Sequence, residues 1–311
     1  MANVWSCDDQ RFIDAYLEYL NKTTEVVQQL RRNGPDGLIL PAMPKRDIED
    51  LFGHDVEKWA EQCKACKGDG QSPVNIVIND IVRDYSLTPF KFTNFDRTSD
   101  IRTTIQNDGH TVRVDYKSGD LRVSDGGLQD EYSVAQYHFH WGSVDTQGSE
   151  HTVDCKAYSM EMHVVTFNRK YGDLERAMKR EDGLAALGIF FEISSKDNPD
   201  FQPIIEALAK INRPGIVIEL APVPLRDLLP ADTGRYYRYP GSITTPPCRE
   251  VVTWTVFSEP VRISAKQMKA FRSLWFEDRM PDGYNNFRPV QPLNRDRIIR
   301  ASFTPTDETN S

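Results

Sequence analysis

The sequence predicts a mostly β (α+β) protein, a single strand-built domain with a few peripheral helices and an N-terminal helical extension. Three observations lead there. From residue 71 onward, short alternating segments recur between turn residues: "HTVRVDY", "YSVAQYHFHW", "AYSMEMHVVTF", "LGIFFEI" and "EVVTWTVF". Only "QPIIEALAKIN" and "SAKQMKAFRSLWF" have a strong helical pattern in that region. Residues 1–50 have a different texture altogether.

Taken in order, Ser6 to Asp9 can cap a helix in which Ile13, Leu17, Leu20, Val27 and Leu30 recur at three- to four-residue spacing. Gly34-Pro35 stops it, and the Pro/Gly-rich connector "GPDGLILPAMPKR" follows. This divides the chain into an extension with connector (1–52), a main domain (53–303) and a tail (304–311) expected to be disordered. The extension is read as packing on the main domain; its other reading is a docking or oligomerisation arm.

Charged residues make up 27% and hydrophobic ones 39%, the balance of a folded protein. A net charge of −8 argues against nucleic acid or an anionic membrane as partner, since either needs a basic surface. The longest apolar run, "LAALGIFFEI", is about half a membrane span and contains Glu192, so no span is expected. "MANVWSCDDQ" shows neither a basic n-region nor an apolar h-region.

The chain has only six histidines, and two of them, His138 and His140, stand two apart in a predicted strand. Strand side chains alternate, so Gln136, His138 and His140 share one face while Tyr137, Phe139 and Trp141 share the other. In "SMEMHVV" the same alternation groups Glu161, His163 and Val165, and an antiparallel neighbour would bring His163 opposite the first pair. Three neutral imidazoles on adjacent strands suit Zn²⁺, with a fourth position open to water. Gln136 and Glu161, each two residues before a candidate ligand, can fix the ring tautomers.

The segments "QSPVNI", "NDGH", "QYHFHWGS", "GSEHTVD", "EMHVV", "DGLAALGIF", "YPGSITTPP" and "NNFRPVQPL" together resemble the α-class carbonic anhydrases, continuously from about Gly53 to Phe303. The resemblance implies a large, mostly antiparallel, twisted β-sheet with zinc in a conical cleft. It implies zinc-dependent reversible hydration of carbon dioxide to bicarbonate and a proton, by attack of a zinc-held hydroxide. His138, His140 and His163 become the zinc ligands; Gln136, Glu161 and the Asn286 carbonyl become their supports. Thr244 would orient the nucleophile and pass a proton to Glu150, Thr245 would hold bicarbonate, and His110 would shuttle protons from the cleft rim. Val165, Leu184, Ala186, Ile243, Val252 and Trp254 would form the carbon dioxide pocket. His151 matches a buried structural histidine, and His54 has no assigned role.

Two departures from the family pattern stand out. Ala186 replaces the usual valine, and Arg113 occupies a wall position that is usually small or neutral. A catalytically silent carbonic-anhydrase-like binding domain is the rival reading, disfavoured because all three histidines are present. A different zinc hydrolase is disfavoured by the absence of a His-Glu-x-x-His helix.

The resemblance also pairs Cys66 with Cys248, as in secreted and membrane-attached members, and so implies an oxidising compartment. A secreted protein without its leader is therefore expected, with the cytoplasm as the alternative. The Asn21-Lys22-Thr23 sequon fits that setting. Cys7, Cys63 and Cys155 remain, and an odd number leaves at least one thiol or an inter-chain bridge.

Overall fold

The computed structural model describes Trp59 and residues 63–276, 285–294 and 296–304. The expected N-terminal helix and connector, Cys7, Asn21, His54 and the tail beyond residue 304 lie outside the described residues.

Among the described residues, thirteen strands assemble into one sheet. Its centre runs, in spatial order, Arg102–Asn107, Val112–Ser118, Tyr132–Trp141, Met160–Asn168, Leu184–Ser194, Val252–Phe257 and Tyr236–Gly241. Most neighbours are antiparallel, as the resemblance implied, but Leu184–Ser194 pairs in parallel with Val252–Phe257 and with Val261–Ser264. A separate two-stranded sheet joins Asn75–Ile76 to Thr152–Val153.

Alternation along the central strands builds two cores. One face gathers Val114, Tyr137, Phe139, Trp141, Met162, Val164 and Ile189. The two strongly patterned helices cover it with Ile204, Leu208, Met268 and Phe271. A second cluster, with Leu184, Ala186, Phe190, Tyr239, Val252 and Trp254, forms on the other side of the Leu184–Ser194 strand. Each large apolar side chain so buried contributes about 1.5–3 kcal/mol. The helices are shorter than their sequence patterns, Gln202–Leu208 and Ala265–Arg272. The second begins at a capping box, with Ser264 and Gln267 satisfying each other's backbone N–H groups.

The Tyr132–Trp141 strand contains an irregularity that the sequence reading did not anticipate. Its register with Met160–Asn168 shifts between Val134 and Gln136, so Ala135 is an extra residue. Even-numbered Tyr132 and Val134 are buried before the bulge, and odd-numbered Tyr137, Phe139 and Trp141 after it. The phase change keeps an apolar face inward along the whole strand. It also turns Gln136, His138 and His140 together onto the opposite side.

Cys66 and Cys248 form a disulfide across 182 residues of sequence. Cys66 lies in the one-turn helix Lys64–Lys67, and Cys248 ends the turn that follows Thr244 and Thr245. Cys63 is buried, with its thiol donating to the Pro247 carbonyl at 3.5 Å, whereas Cys155 is exposed. No helix among the described residues is long and apolar enough to cross a membrane.

Candidate metal centre

Register sets the candidate site. His138 lies directly opposite His163 across the antiparallel pair, and His140 lies opposite Glu161. Ring centroids are 5.0 Å apart for His138–His140, 5.2 Å for His138–His163 and 4.6 Å for His140–His163. One nitrogen from each ring lies within 4.8 Å of the other two.

The remaining nitrogen of each ring has its own oxygen acceptor. His138 Nδ1 donates to Gln136 Oε1 at 2.9 Å, and His140 Nδ1 to the Asn286 carbonyl at 2.8 Å. His163 Nε2 donates to Glu161 Oε1 at 2.8 Å. An oxygen acceptor places the proton on the nitrogen it faces, so the inward atoms are the lone-pair nitrogens Nε2, Nε2 and Nδ1. Among the described residues His140 Nε2 is buried without any hydrogen-bond partner, a costly state that a metal ion would relieve. Burial, reinforced by the neighbouring imidazoles, holds His138 well below its ordinary pKa; burial likewise lowers His140. Neutral rings are the ligand form, and the donor set fits Zn²⁺.

Glu161 anchors the floor. Its Oε2 accepts the backbone N–H groups of Glu150 and His151 at 2.9 and 2.8 Å, and its Oε1 accepts His151 Nδ1 at 2.6 Å as well as His163. Burial alone would raise this carboxyl, but His151 and His163 hold it well below the usual carboxylate range. His151 Nε2 bonds the Tyr239 hydroxyl at 2.6 Å, and that hydroxyl reaches Ser72 Oγ at 2.9 Å. Gly188 faces His163 in register, and a Cβ there would stand 3.1 Å from Glu161 Oε1. The sequence reading missed Gly188 and Tyr239. A glycine inside an apolar strand run was the available signal for the first.

Beside the imidazoles lies an apolar wall. Leu184 and Ala186 pair with Val252 and Trp254, Val165 pairs with Ala186, and Ile243 packs on the same cluster. The Trp254 ring is 4.7 Å from that of His163, and its indole N–H donates to the Ser242 carbonyl at 2.9 Å. Thr244 is buried and Thr245 half-buried in the turn beyond Ser242.

One expected contact is replaced by a different geometry. Among the described residues no hydrogen bond joins Thr244 to Glu150. Glu150 Oε1 accepts the Arg288 backbone N–H at 2.8 Å, and the buried Oε2, 3.8 Å from His163 Nδ1, has no hydrogen-bond partner among the described residues. His110 is half-buried in its turn, and burial lowers its pKa while Asp108 opposes the shift.

Three converging imidazoles, those of His140 and His163 buried and that of His138 half-buried, each with a dedicated oxygen acceptor, define a candidate three-histidine metal centre. Residues 54–303 match the family model described as eukaryotic-type carbonic anhydrase, and the chain belongs to that family of lyases. It is 39% identical to human "Carbonic anhydrase 7" over 251 residues, 79% of this chain and 93% of the relative. It is 40% identical to mouse "Carbonic anhydrase 15" over 253 residues, 77% and 78% of the two chains. Identity to mouse "Carbonic anhydrase 6" is 37% over 250 residues, 79% and 77% of the two chains.

Proposed function

We propose that this chain catalyses zinc-dependent reversible hydration of carbon dioxide, with His138, His140 and His163 holding the metal. The observation that supports it most is the set of three lone-pair nitrogens converging on one another, each ring fixed from behind by an oxygen. When bound there, zinc supplies a strongly acidified water as nucleophile at neutral pH, chemistry for which carbonic anhydrase is the standard example.

The chain's own residues do the rest. Carbon dioxide is apolar, and Val165, Leu184, Ala186, Ile243, Val252 and Trp254 offer it an apolar seat beside His163. Ala186, smaller than the family's valine, deepens that seat. Thr244 aligns the nucleophile, and Glu150 Oε2, a buried acceptor left open, receives the threonine proton. Thr245 holds bicarbonate. His110 takes the released proton to buffer, a task suited to an imidazole because its ordinary titration range lies near neutrality. The Cys66–Cys248 bridge supports passage through an oxidising compartment, hence secretion. Association of chains through the extension or an unbridged cysteine forms no part of this reading.

Stopped-flow hydration of carbon dioxide tests the proposal. The zinc-loaded chain should accelerate it, and His110→Ala should lower the rate in dilute buffer by roughly tenfold to a hundredfold, with small imidazoles restoring part. A zinc-loaded chain that leaves hydration at the uncatalysed rate would support the silent-domain alternative instead.

A further inference from the structure

We propose that Arg113 is a positioning residue for proton release: through Asp108 it holds the turn that presents His110. This rests on the reading that His110 moves the proton.

Arg113 stands opposite His138 in register, so its side chain shares the face of the histidine cluster. It is only 6% exposed, and a guanidinium cannot shed its charge, so burial demands anionic partners. Two carboxylates flank it. Nε is 3.1 Å from Asp115 Oδ1, and Nη1 is 3.5 Å from Asp108 Oδ2. Asp115 belongs to the same strand and is fixed independently, its Oδ2 taking Gln106 Nε2 at 2.8 Å with Lys117 Nζ at 3.7 Å. Arg113 is thereby tethered at its base to the sheet.

Asp108 belongs to the turn. Its Oδ1 accepts the backbone N–H groups of His110 and Thr111 at 3.0 and 2.9 Å, and its own N–H donates to the Thr111 carbonyl at 3.1 Å. One carboxylate thus does two things: Oδ1 shapes the turn around His110, while Oδ2 meets the guanidinium. Clamping Oδ2 limits rotation of the carboxylate and so fixes the N–H groups that Oδ1 gathers. Asn286 Nδ2 donates to the His110 carbonyl at 3.0 Å, and the Asn286 carbonyl accepts from His140. The turn is therefore referenced to the metal centre from one side and to Arg113 from the other. Proton transfer through an imidazole depends on placement, and a misplacement of about 1 Å can cost up to a hundredfold.

The test uses the full zinc-loaded chain and two rates. Isotope exchange between carbon dioxide and bicarbonate at equilibrium does not require net proton release, whereas steady-state hydration in dilute buffer does. Arg113→Gln should lower the steady-state rate roughly fivefold to tenfold while exchange stays within about twofold. Small imidazoles should recover the loss, and Arg113→Lys should retain part of the native rate. Should Arg113→Gln fail to fold, Asp108→Asn serves, because the amide oxygen keeps the turn while the ion pair is gone; the same split is expected. Equal falls in both rates would overturn the proposal by making Arg113 a support of His138. It is also overturned if dilute-buffer hydration is normal in the Arg113 and Asp108 variants yet depressed in His110→Ala. If His110→Ala itself is normal in dilute buffer, the shuttle reading is what fails, and this proposal falls with it.

Discussion

The imidazole cluster and the turn carrying Thr244 lie side by side but are held by different means. The cluster is set by strand register, with His138 opposite His163, and each ring also has its own acceptor. The 242–248 turn hangs from contacts far away in sequence. Ser242 Oγ and Ser72 Oγ each accept the other residue's backbone N–H, Gln71 Nε2 donates to the Cys248 carbonyl, and Cys248 is bonded to Cys66. A register is restated at every residue of a strand, whereas a clamped turn depends on a few long-range ties. Damage to one region should therefore leave the other largely intact.

Removing the covalent tie gives the largest stability effect. The double variant Cys66→Ala, Cys248→Ala loses the constraint on a 182-residue separation and should be destabilised by roughly 2–5 kcal/mol in a denaturant titration. Its zinc affinity should hold. A large parallel loss of zinc would mean that the cluster leans on the turn after all.

The converse change acts on the cluster alone. Gln136→Ala frees the His138 ring, and zinc affinity should fall about 10–100-fold, measured by competition with a chelator. Thermal stability of the metal-free chain should change little, and a collapse there would show that Gln136 serves packing instead.

The smallest effect is acid sensitivity of the metal-free protein. His138 and His140 have folded pKa values lowered by burial, so below the ordinary value of 6.5 the unfolded chain binds protons that the folded chain refuses. Stability is present above pH 6.5 and should be lost as pH falls, by up to about 1.4 kcal/mol per unit for each such histidine. A flat profile between pH 6.5 and 5 would mean that these rings are protonated in the fold.

What could be read from the sequence follows the same division. Period-two alternation exposed His138, His140, His163, Gln136 and Glu161 as same-face neighbours, because strand geometry turns spacing directly into direction. The bulge at Ala135 escaped notice, since the apolar pattern reads through it and only the pairing reveals the shift. Gly188 and the Glu161–His151–Tyr239–Ser72 chain join separate strands and a loop, contacts that no local pattern encodes. The Cys66–Cys248 bridge, and the roles proposed for Thr244, Glu150 and His110, came only through family resemblance. For Glu150 and His110 the structure then added what resemblance omitted: an Oε2 without a hydrogen-bond partner among the described residues, and a half-buried His110 whose backbone N–H is held by Asp108.

The central claim, that three histidines build a zinc centre on which hydration depends, is tested most directly by titrating metal-free protein with zinc while recording bound metal and carbon dioxide hydration together. Activity should rise in step with zinc and level off at one ion per chain, and His140→Ala should show neither tight binding nor activity. Full hydration by the metal-free chain, or an active His140→Ala variant, would contradict the account.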